Sequence, residues 1–237
     1  MENLSSINKN LSFFLPFYNE EKTLGKTVTL LLMLARTHLN QFEVLLINDG
    51  STDSSSQIAE LLVQQHAEVQ LINLKTNQGF GAAYISGILH AKFQHAMYLS
   101  TDGDVHEDEL KHIFAAWDGE KNLLQFANNP QERHLSRYIL SRLFTIATNL
   151  LSGSRWPYYN GYNIYTLENR KNLKNYNFSF ASQAYAVLTL IKDPKETILL
   201  TTRSRFNDTD SKSITLSNLQ KTFSFFIFLL RQRVLSK

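Results

Sequence analysis

The feature that most constrains the fold of this chain is the regular alternation of short apolar runs and longer amphipathic stretches over residues 11–117. The apolar runs span residues 11–15, 42–48, 70–74 and 96–100. The amphipathic stretches that follow them span residues 22–37, 54–65, 82–93 and 108–117. This alternation is typical of repeated βα units, in which helices cover a mostly parallel sheet. It therefore predicts an α/β fold with a mostly parallel sheet flanked by helices.

Beyond residue 117 the alternation becomes less regular. It predicts strands over 123–127 and 197–201 and helices over 135–151 and 179–191. The last predicted element is an amphipathic helix over 217–235, in which Lys221, Arg231 and Arg233 accompany a phenylalanine-rich face. If this helix lies on a membrane, the residues expected to enter the headgroup boundary are Phe223, Phe226, Ile227 and Leu230. Two roles are compatible with this helix: it lies on a membrane surface, or it packs on the sheet or on a second subunit.

Each of the first four predicted strands runs into a segment of polar and small residues. These segments are residues 16–21, 49–53, 77–81 and 102–104. In an open parallel sheet, ligands bind beyond the carboxyl ends of the strands. The sequence therefore predicts that the four segments converge on one binding crevice.

The fourth segment carries two carboxylates, Asp102 and Asp104, separated by Gly103. Carboxylate oxygens at this spacing suit a hard divalent cation such as Mg²⁺ or Mn²⁺. Oxygens of a diphosphate would complete the coordination shell of that cation. His106 follows two residues later and could contact the metal or a donor phosphate. The alternative is an acidic surface turn ahead of a helix, with His106 as a surface residue.

The other three segments suit a nucleotide. Tyr18 and Glu20 could stack on a nucleobase and bind its edge or ribose, and Asp49 offers a second acid. The glycine-rich segment at Gly79 lets the backbone approach a ligand closely at a helix start. Helix capping is the alternative role for the acids, with Asn19 as a helix cap.

In this order, Pro-x-Tyr-Asn-Glu, Asp-Gly-Ser-Thr-Asp, Asn-x-Gly-x-Gly-x-Ala and Asp-x-Asp resemble glycosyltransferase family 2. The resemblance covers about residues 11–110. It implies a Rossmann-like GT-A fold and metal-dependent, inverting transfer of a sugar from a nucleoside diphosphate. It further implies that one group of residues contacts the nucleoside: Pro16, Tyr18, Glu20 and Asp49. Asp102 and Gly103 would contact the donor, and Asp104 the metal.

The second half is most similar to the polyprenyl-phosphate branch of that family, typified by dolichyl-phosphate mannose synthase and dolichyl-phosphate glucosyltransferase. The matching features are Arg133 and Arg137 before the long helix, residues 161–165 as the counterpart of a strand in that branch, and Arg203 or Arg205 followed by Ser211 and Lys212. Asn163 stands where that branch carries a cation, and Gln183 where an acid is common. The resemblance implies a polyprenyl-phosphate acceptor, for which Arg133 and Arg205 would act as catalytic cations.

Acceptor chemistry gives an argument that is independent of the resemblance. A hydroxyl acceptor needs a general base, whereas a phosphate acceptor is already anionic and needs cations. Acids are few between residues 121 and 205, and none forms a paired motif. Residues 121–212 hold five cations that could bind a phosphate: Arg133, Arg137, Arg203, Arg205 and Lys212. These arginines could equally be solvated surface residues. The alternatives are a transferase that acts on a glycan hydroxyl and a catalytically silent nucleotide-sugar binding protein.

The composition limits the chemistry and the cellular location that we expect for this chain. The chain has no cysteine, which excludes disulfides and thiolate catalysis. Its formal charge is +3, and its sequence has no basic run of the kind that binds nucleic acid. Residues 1–10 are polar, and no apolar stretch reaches the roughly 18 residues that a spanning helix needs. We expect a cytoplasmic protein, peripheral at a membrane; a monomer and a homo-oligomer are both compatible with the sequence.

The predicted organisation is a flexible N-terminus over 1–10, one domain over 11–215, and a helix over 216–237. Within the domain, residues 11–117 would bind the nucleotide sugar and residues 118–215 the acceptor.

Overall fold

The structure, a computed structural model, describes residues 8–127, 135–202 and 216–235. The strands are β1 (Asn10–Phe17), β2 (Gln41–Asn48), β3 (Val69–Asn73), β4 (His95–Tyr98), β5 (Asn122–Ala127), β6 (Ile164–Thr166) and β7 (Thr197–Thr202). The α-helices are α1 (Leu24–His38), α2 (Ser55–Gln65), α3 (Phe80–His90), α4 (Glu107–Ala116), α5 (Leu135–Ser152), α6 (Ala181–Leu190) and α7 (Leu216–Leu235). Short 3₁₀ helices lie at Leu167–Asn172 and Pro194–Glu196.

The seven strands form one sheet in the order β3-β2-β1-β4-β6-β5-β7. All neighbouring strands are parallel except at β6, which is antiparallel to both β4 and β5. The predicted α/β class with a mostly parallel sheet is thereby confirmed. The chain runs outward from β1 to β2 and β3 and then returns to β4 on the other side of β1, so the strand order reverses between β1 and β4. Crevices at such reversals are where ligands bind in sheets of this kind.

The apolar run of β1 is continuous because both faces of the sheet are covered. Phe13 points to one face and packs against Phe114 of α4, with the ring centroids 5.9 Å apart. Phe14 points to the other face and packs against Tyr84 of α3 at 5.0 Å. One hydrophobic core therefore lies between the sheet and the layer that holds α1 and α4, and the other lies beneath α3, α6 and α7.

Helix α7 confirms the predicted element over 217–235 and shows one of the two roles expected for it. Its Phe225 is fully buried, and Leu229 is buried beside it, in the core that also holds Phe178 and Tyr185. The opposite side of the helix leaves Phe223 66% exposed. One face of α7 thus packs on the domain, whereas the other faces solvent. Over residues 8–127, 135–202 and 216–235, none of the helices combines the length and the apolar character needed to cross a bilayer.

Candidate active site

The polar segments that follow β1 and β2 interlock. The Asn19 side-chain oxygen accepts the Thr52 amide at 2.8 Å, and the Asn19 amide donates to the Ser51 hydroxyl at 3.1 Å. The Glu20 amide donates to the Ser55 hydroxyl at 2.8 Å. Asn19 adopts a left-handed φ of 57°, which asparagine tolerates better than most residues. It does not cap α1, which begins at Leu24; it joins the two loops into one rim of the crevice.

Tyr18 and Glu20 lie on this rim. The Tyr18 ring is 39% exposed, and the Glu20 carboxylate accepts the Thr23 hydroxyl at 3.1 Å. Pro16 lies just below, where its carbonyl accepts the Thr101 hydroxyl at 3.2 Å and so links the end of β1 to the segment after β4. An exposed ring beside a carboxylate is the arrangement that the sequence predicts for a nucleoside.

Asp49 has a structural partner that the sequence did not reveal. It is 3% exposed, and its two carboxylate oxygens accept the backbone amides of Gln78 and Gly79, each at 2.7 Å. Burial raises the pKa of the Asp49 carboxyl, against the opposing effect of these two donors and of Lys221. The carboxylate therefore holds the glycine-rich loop ahead of α3 in place.

Gly50 makes this approach possible. Its φ is +74°, and a Cβ there would lie 2.9 Å from the Asn77 backbone nitrogen. A side chain would therefore clash with the loop and strain the backbone. The conformation of residues 49–50 and that of residues 77–79 depend on each other.

The acids after β4 lie beside buried phenols. Burial raises the pKa of Tyr98 well above its usual range, and the nearby charges of Asp102, Glu20 and Asp104 raise it further. Burial likewise raises the pKa of Tyr162, with contributions from Tyr98, Asp102 and Asp104 among others. The carboxylates at the ends of β1 and β4 are thus near enough to this pair of phenols to affect their pKa values, and the two rings lie 6.0 Å apart. Sequence reasoning placed the acids but missed both tyrosines.

The chemistry of the Asp102 and Asp104 pair fits Mg²⁺ or Mn²⁺. Asp102 is exposed at the crevice, and its Oδ1 accepts the Asp104 amide at 3.2 Å. Gly103 between them has a φ of +89°, a conformation that turns the chain tightly. Within the described ranges, no cluster of three or more histidine, aspartate or glutamate side chains forms a complete ligand set. Two carboxylates suit a cation that takes its remaining ligands from a diphosphate. His106 immediately precedes α4 and is partly buried.

The C-terminal half wraps around the glycine-rich loop. The Asn177 side-chain amide donates to the Gln78 carbonyl, and Lys221 of α7 brings its ammonium 3.2 Å from the position that a Gly79 Cβ would take. The Ser179 hydroxyl donates to the Asn218 side chain at 2.7 Å, which ties the start of α6 to α7. Helix α7 therefore supplies a cation beside Asp49 and Gly79, which no motif in the sequence indicated.

Most of the predicted acceptor residues lie outside the described residues: Arg133, Arg203, Arg205, Ser211 and Lys212. Arg137 belongs to α5, but its side chain is not described. Asn163 is buried, and its side chain accepts the Gln125 amide at 3.0 Å and donates to the Tyr159 carbonyl at 3.0 Å. It therefore positions β5 and the preceding loop. Gln183 is buried in α6, and its Oε1 has no partner among the described residues.

Comparison with known proteins agrees with this geometry. The sequence profile of the family described as Glycosyl transferase family 2 matches residues 12–189. A poly-beta-1,6-N-acetyl-D-glucosamine synthase of Staphylococcus epidermidis is 28% identical over 138 residues, which are 58% of this chain and 32% of that protein. A dolichyl-phosphate beta-glucosyltransferase of Trichomonas vaginalis is 31% identical over 106 residues, which are 43% of this chain and 33% of that protein. The chain thus matches about a third of the length of these curated relatives.

Among solved structures, the chain is similar to glucosyl-3-phosphoglycerate synthase from Mycobacterium tuberculosis, crystallised with Mn²⁺, uridine diphosphate and glucosyl-3-phosphoglycerate. The TM-score is 0.64 at 14% identity, over 95% of this chain and 80% of that chain. At this identity the likeness concerns the fold, and it confirms the predicted GT-A architecture.

Proposed function

The chain belongs to glycosyltransferase family 2, and on that premise we propose that it transfers a sugar, with inversion, from a nucleoside diphosphate sugar to a polyprenyl phosphate at the cytosolic face of a membrane. Family membership supports the transfer chemistry. The finer assignments of donor, metal and acceptor rest on the contacts of the crevice.

The donor would lie in the crevice between β1 and β4. Tyr18 offers an exposed ring to the base, and Glu20 offers a carboxylate to the base or ribose. The glycine-rich loop, held by Asp49, would bring backbone close to the ligand at the start of α3. Lys221 adds a cation beside this loop, where it would attract the negative charge of a nucleotide diphosphate.

Asp102 and Asp104 would hold a divalent cation, and the exposure of Asp102 and the partial exposure of Asp104 at the crevice support this role. When bound, the ion neutralises negative charge on the leaving nucleoside diphosphate. Because their pKa values are raised, Tyr98 and Tyr162 stay protonated at neutral pH. Their uncharged phenols therefore add no negative charge to a site that already gathers several carboxylates.

The observation that carries the acceptor assignment is where the acids of the second half lie. Glu168 follows β6, which is antiparallel to β4, so it lies at the edge of the sheet opposite the crevice. Asp193 and Glu196 precede β7, whose direction matches that of β5, and so lie at that opposite edge as well. In the described part of residues 121–202, these positions leave no carboxylate well placed to deprotonate a hydroxyl at the crevice.

Glu109 of α4 is another acid, and it lies near the carboxyl ends of β5 and β7. Its side chain is buried, and its Oε1 accepts the Gln125 side-chain amide at 2.8 Å and the Thr202 hydroxyl at 3.2 Å. These bonds commit Glu109 to joining α4 with the two strands. An acceptor that is already anionic, such as a lipid phosphate, needs no such base.

A second candidate is a transferase that acts on a glycan hydroxyl. The observation in its favour is the similarity to the poly-beta-1,6-N-acetyl-D-glucosamine synthase, whose product is a glycan. In that case the base would have to come from the donor half or from outside the described residues.

A nucleotide-release assay tests the proposed function. The protein is incubated with a panel of UDP-, GDP- and dTDP-sugars and Mn²⁺, with and without a short-chain polyprenyl phosphate. We expect release from one donor, stimulated by the lipid phosphate and abolished by EDTA. The substitution Asp104→Asn should abolish it, whereas Asp108→Asn, an exposed carboxylate of α4, should not. Full activity of Asp104→Asn, or in EDTA, would remove the metal from the proposal.

A further inference from the structure

Helices α5 and α7 turn a row of apolar side chains toward solvent. On each helix these residues are spaced mostly by three or four positions or their sums, so they form one stripe. Each stripe lies opposite the face that packs on the domain, which carries Phe144 and Thr148 in α5 and Phe225 and Leu229 in α7. We call the two stripes together the α5–α7 face: Ile139, Leu140, Leu143, Ile146 and Leu150, with Leu216, Leu219, Phe223, Leu230 and Val234.

The two stripes belong to one surface. The ring of Phe144 lies 6.2 Å from that of Phe225 and 5.8 Å from that of Phe226. Nearer the C-terminal ends, the Arg233 guanidinium donates to the Leu150 carbonyl at 2.5 Å. The helices therefore run side by side in the same direction. A contiguous exposed apolar surface of this extent is uncommon on a soluble monomer and indicates an interaction site.

The charged residues of the two helices that form this surface are all cationic. Neither α5 nor α7 contains an aspartate or glutamate, whereas the two helices carry Arg137, Arg142, Lys221, Arg231 and Arg233. A cavity of about 440 Å³ opens between the C-terminal ends of α5, α6 and α7, and its lining includes Lys174, Lys192 and Arg233 but no acidic side chain. An apolar surface whose own helices carry cations and no acids complements an anionic lipid bilayer. A second copy of the same face would instead bring like charges together.

The surface also begins next to the donor crevice. Lys221 lies between Leu219 and Phe223 in the chain, and its ammonium reaches the glycine-rich loop at Gly79. Asn218, one turn earlier, bonds to Ser179 at the start of α6. A bilayer in contact with α7 would therefore lie beside the edge of the crevice.

We propose that the α5–α7 face docks on an anionic lipid bilayer, with its apolar side chains entering the headgroup boundary and its arginines meeting lipid phosphates. Docking itself does not depend on the proposed function. Only the role that we assign to docking rests on that function: it would place the crevice at the depth of a lipid-phosphate acceptor. Helix α7 would then serve as a core element on one side and a membrane contact on the other.

Co-sedimentation with vesicles tests the proposal. The parent protein, the double variant Leu143→Glu with Phe223→Glu, and the control Leu61→Glu are mixed with vesicles of phosphatidylcholine, with or without phosphatidylglycerol. Leu143 is 58% exposed and Leu61, on α2, is 53% exposed, so both substitutions place a carboxylate at an already exposed site. We expect the parent and the control to bind the anionic vesicles and the double variant to bind at least about tenfold more weakly. Thermal melts of all three proteins verify that they are folded.

The other outcomes overturn the proposal. They are a parent protein that stays in the supernatant, a double variant that binds as well as the control, and a dimer seen by light scattering that the double variant splits while vesicles are ignored. Failure of the proposed function is measured separately, with a short-chain polyprenyl phosphate dispersed in detergent. Vesicle binding without transfer in that assay refutes the acceptor assignment and leaves the docking face standing.

Discussion

Replacing Asp49 tests how the structure builds the donor crevice. The Asp49 carboxylate accepts two backbone amides at 2.7 Å, and Asp49→Ala removes both bonds. A hydrogen bond to a charged group contributes about 1.5–3 kcal/mol. The net loss is smaller than the sum of two, because burial disfavours the ionised carboxyl, as its raised pKa shows, and because Gln78 is exposed to water.

We therefore expect Asp49→Ala to lower the free energy of unfolding by about 2–3 kcal/mol. For a chain of this size, that corresponds to a fall in Tm of roughly 5–10 °C. Asp49→Asn should recover at most part of this loss, since it keeps one acceptor oxygen but turns an NH₂ group toward the second amide. The control Glu60→Ala, an exposed carboxylate of α2, should change stability by no more than about 0.5 kcal/mol.

The assay is thermal unfolding by circular dichroism without ligand, followed by calorimetric titration of the nucleotide sugar well below the Tm. A Tm of Asp49→Ala within about 1 °C of the parent would refute the reasoning, since it would mean that the carboxylate does not hold the loop. If the Tm falls but donor affinity is unchanged, Asp49 is a purely structural residue and leaves the set of nucleoside contacts.

Three further substitutions test the packing of the fold by the same melts. Gly81→Ala places a Cβ 2.4 Å from a serine oxygen of α6, so we expect the free energy of unfolding to fall by about 1–3 kcal/mol. The control Gly25→Ala should cause no loss, because the nearest atom to its Cβ is 3.8 Å away. Equal Tm values for the two variants would contradict the close contact of α3 with α6. Phe225→Ala should cost about 3–5 kcal/mol because its ring is fully buried, whereas Phe223→Ala should cost little, and the reverse order would show that α7 is turned the other way. Burial lowers the pKa of His95, so protonation favours the unfolded chain, and stability should fall as the pH drops from about 7 to 5. In His95→Gln this part of the pH dependence should vanish, and a variant that keeps it would point to another group.

Local patterns were enough to predict most of the elements. The periodicity of residues 135–151 predicts a helix, and the structure has one at Leu135–Ser152. The four crevice segments could be predicted because each of them directly follows a predicted strand. The antiparallel strand Ile164–Thr166 is too short to produce a pattern, and only the resemblance of residues 161–165 to a known strand pointed to it.

The partners of the crevice residues could not be predicted, because they lie far away in the chain. Asp49 is bound by backbone amides 29 and 30 residues later, and backbone donors leave no trace in the sequence. Lys221 reaches Gly79 only because α7 packs across α6. Between Phe223 and Leu230, every residue of α7 except Ser224 is apolar, so periodicity could not decide which phenylalanines are buried. The predicted lipid-facing set joined Phe226 and Ile227, which are half-buried, to Phe223 and Leu230, which are exposed.

The predicted division of the chain into a donor half, an acceptor half and a terminal helix stays a prediction. The same holds for the roles of the predicted donor residues and of the acceptor cations around Arg133 and Arg205. Variants of those arginines are best tested in the acceptor assays, since the proposed role of their side chains is to bind a lipid phosphate.

The proposed acceptor is tested by comparing two substrates that differ in one group. A radiolabelled sugar donor and Mn²⁺ are supplied with either a polyprenyl phosphate or the matching polyprenol, and label is counted in the organic phase. We expect transfer to the phosphate and none to the alcohol, because the described acids of the acceptor half lie away from the crevice. Equal labelling of the polyprenol, or labelling of a glycan in preference to both lipids, would contradict it.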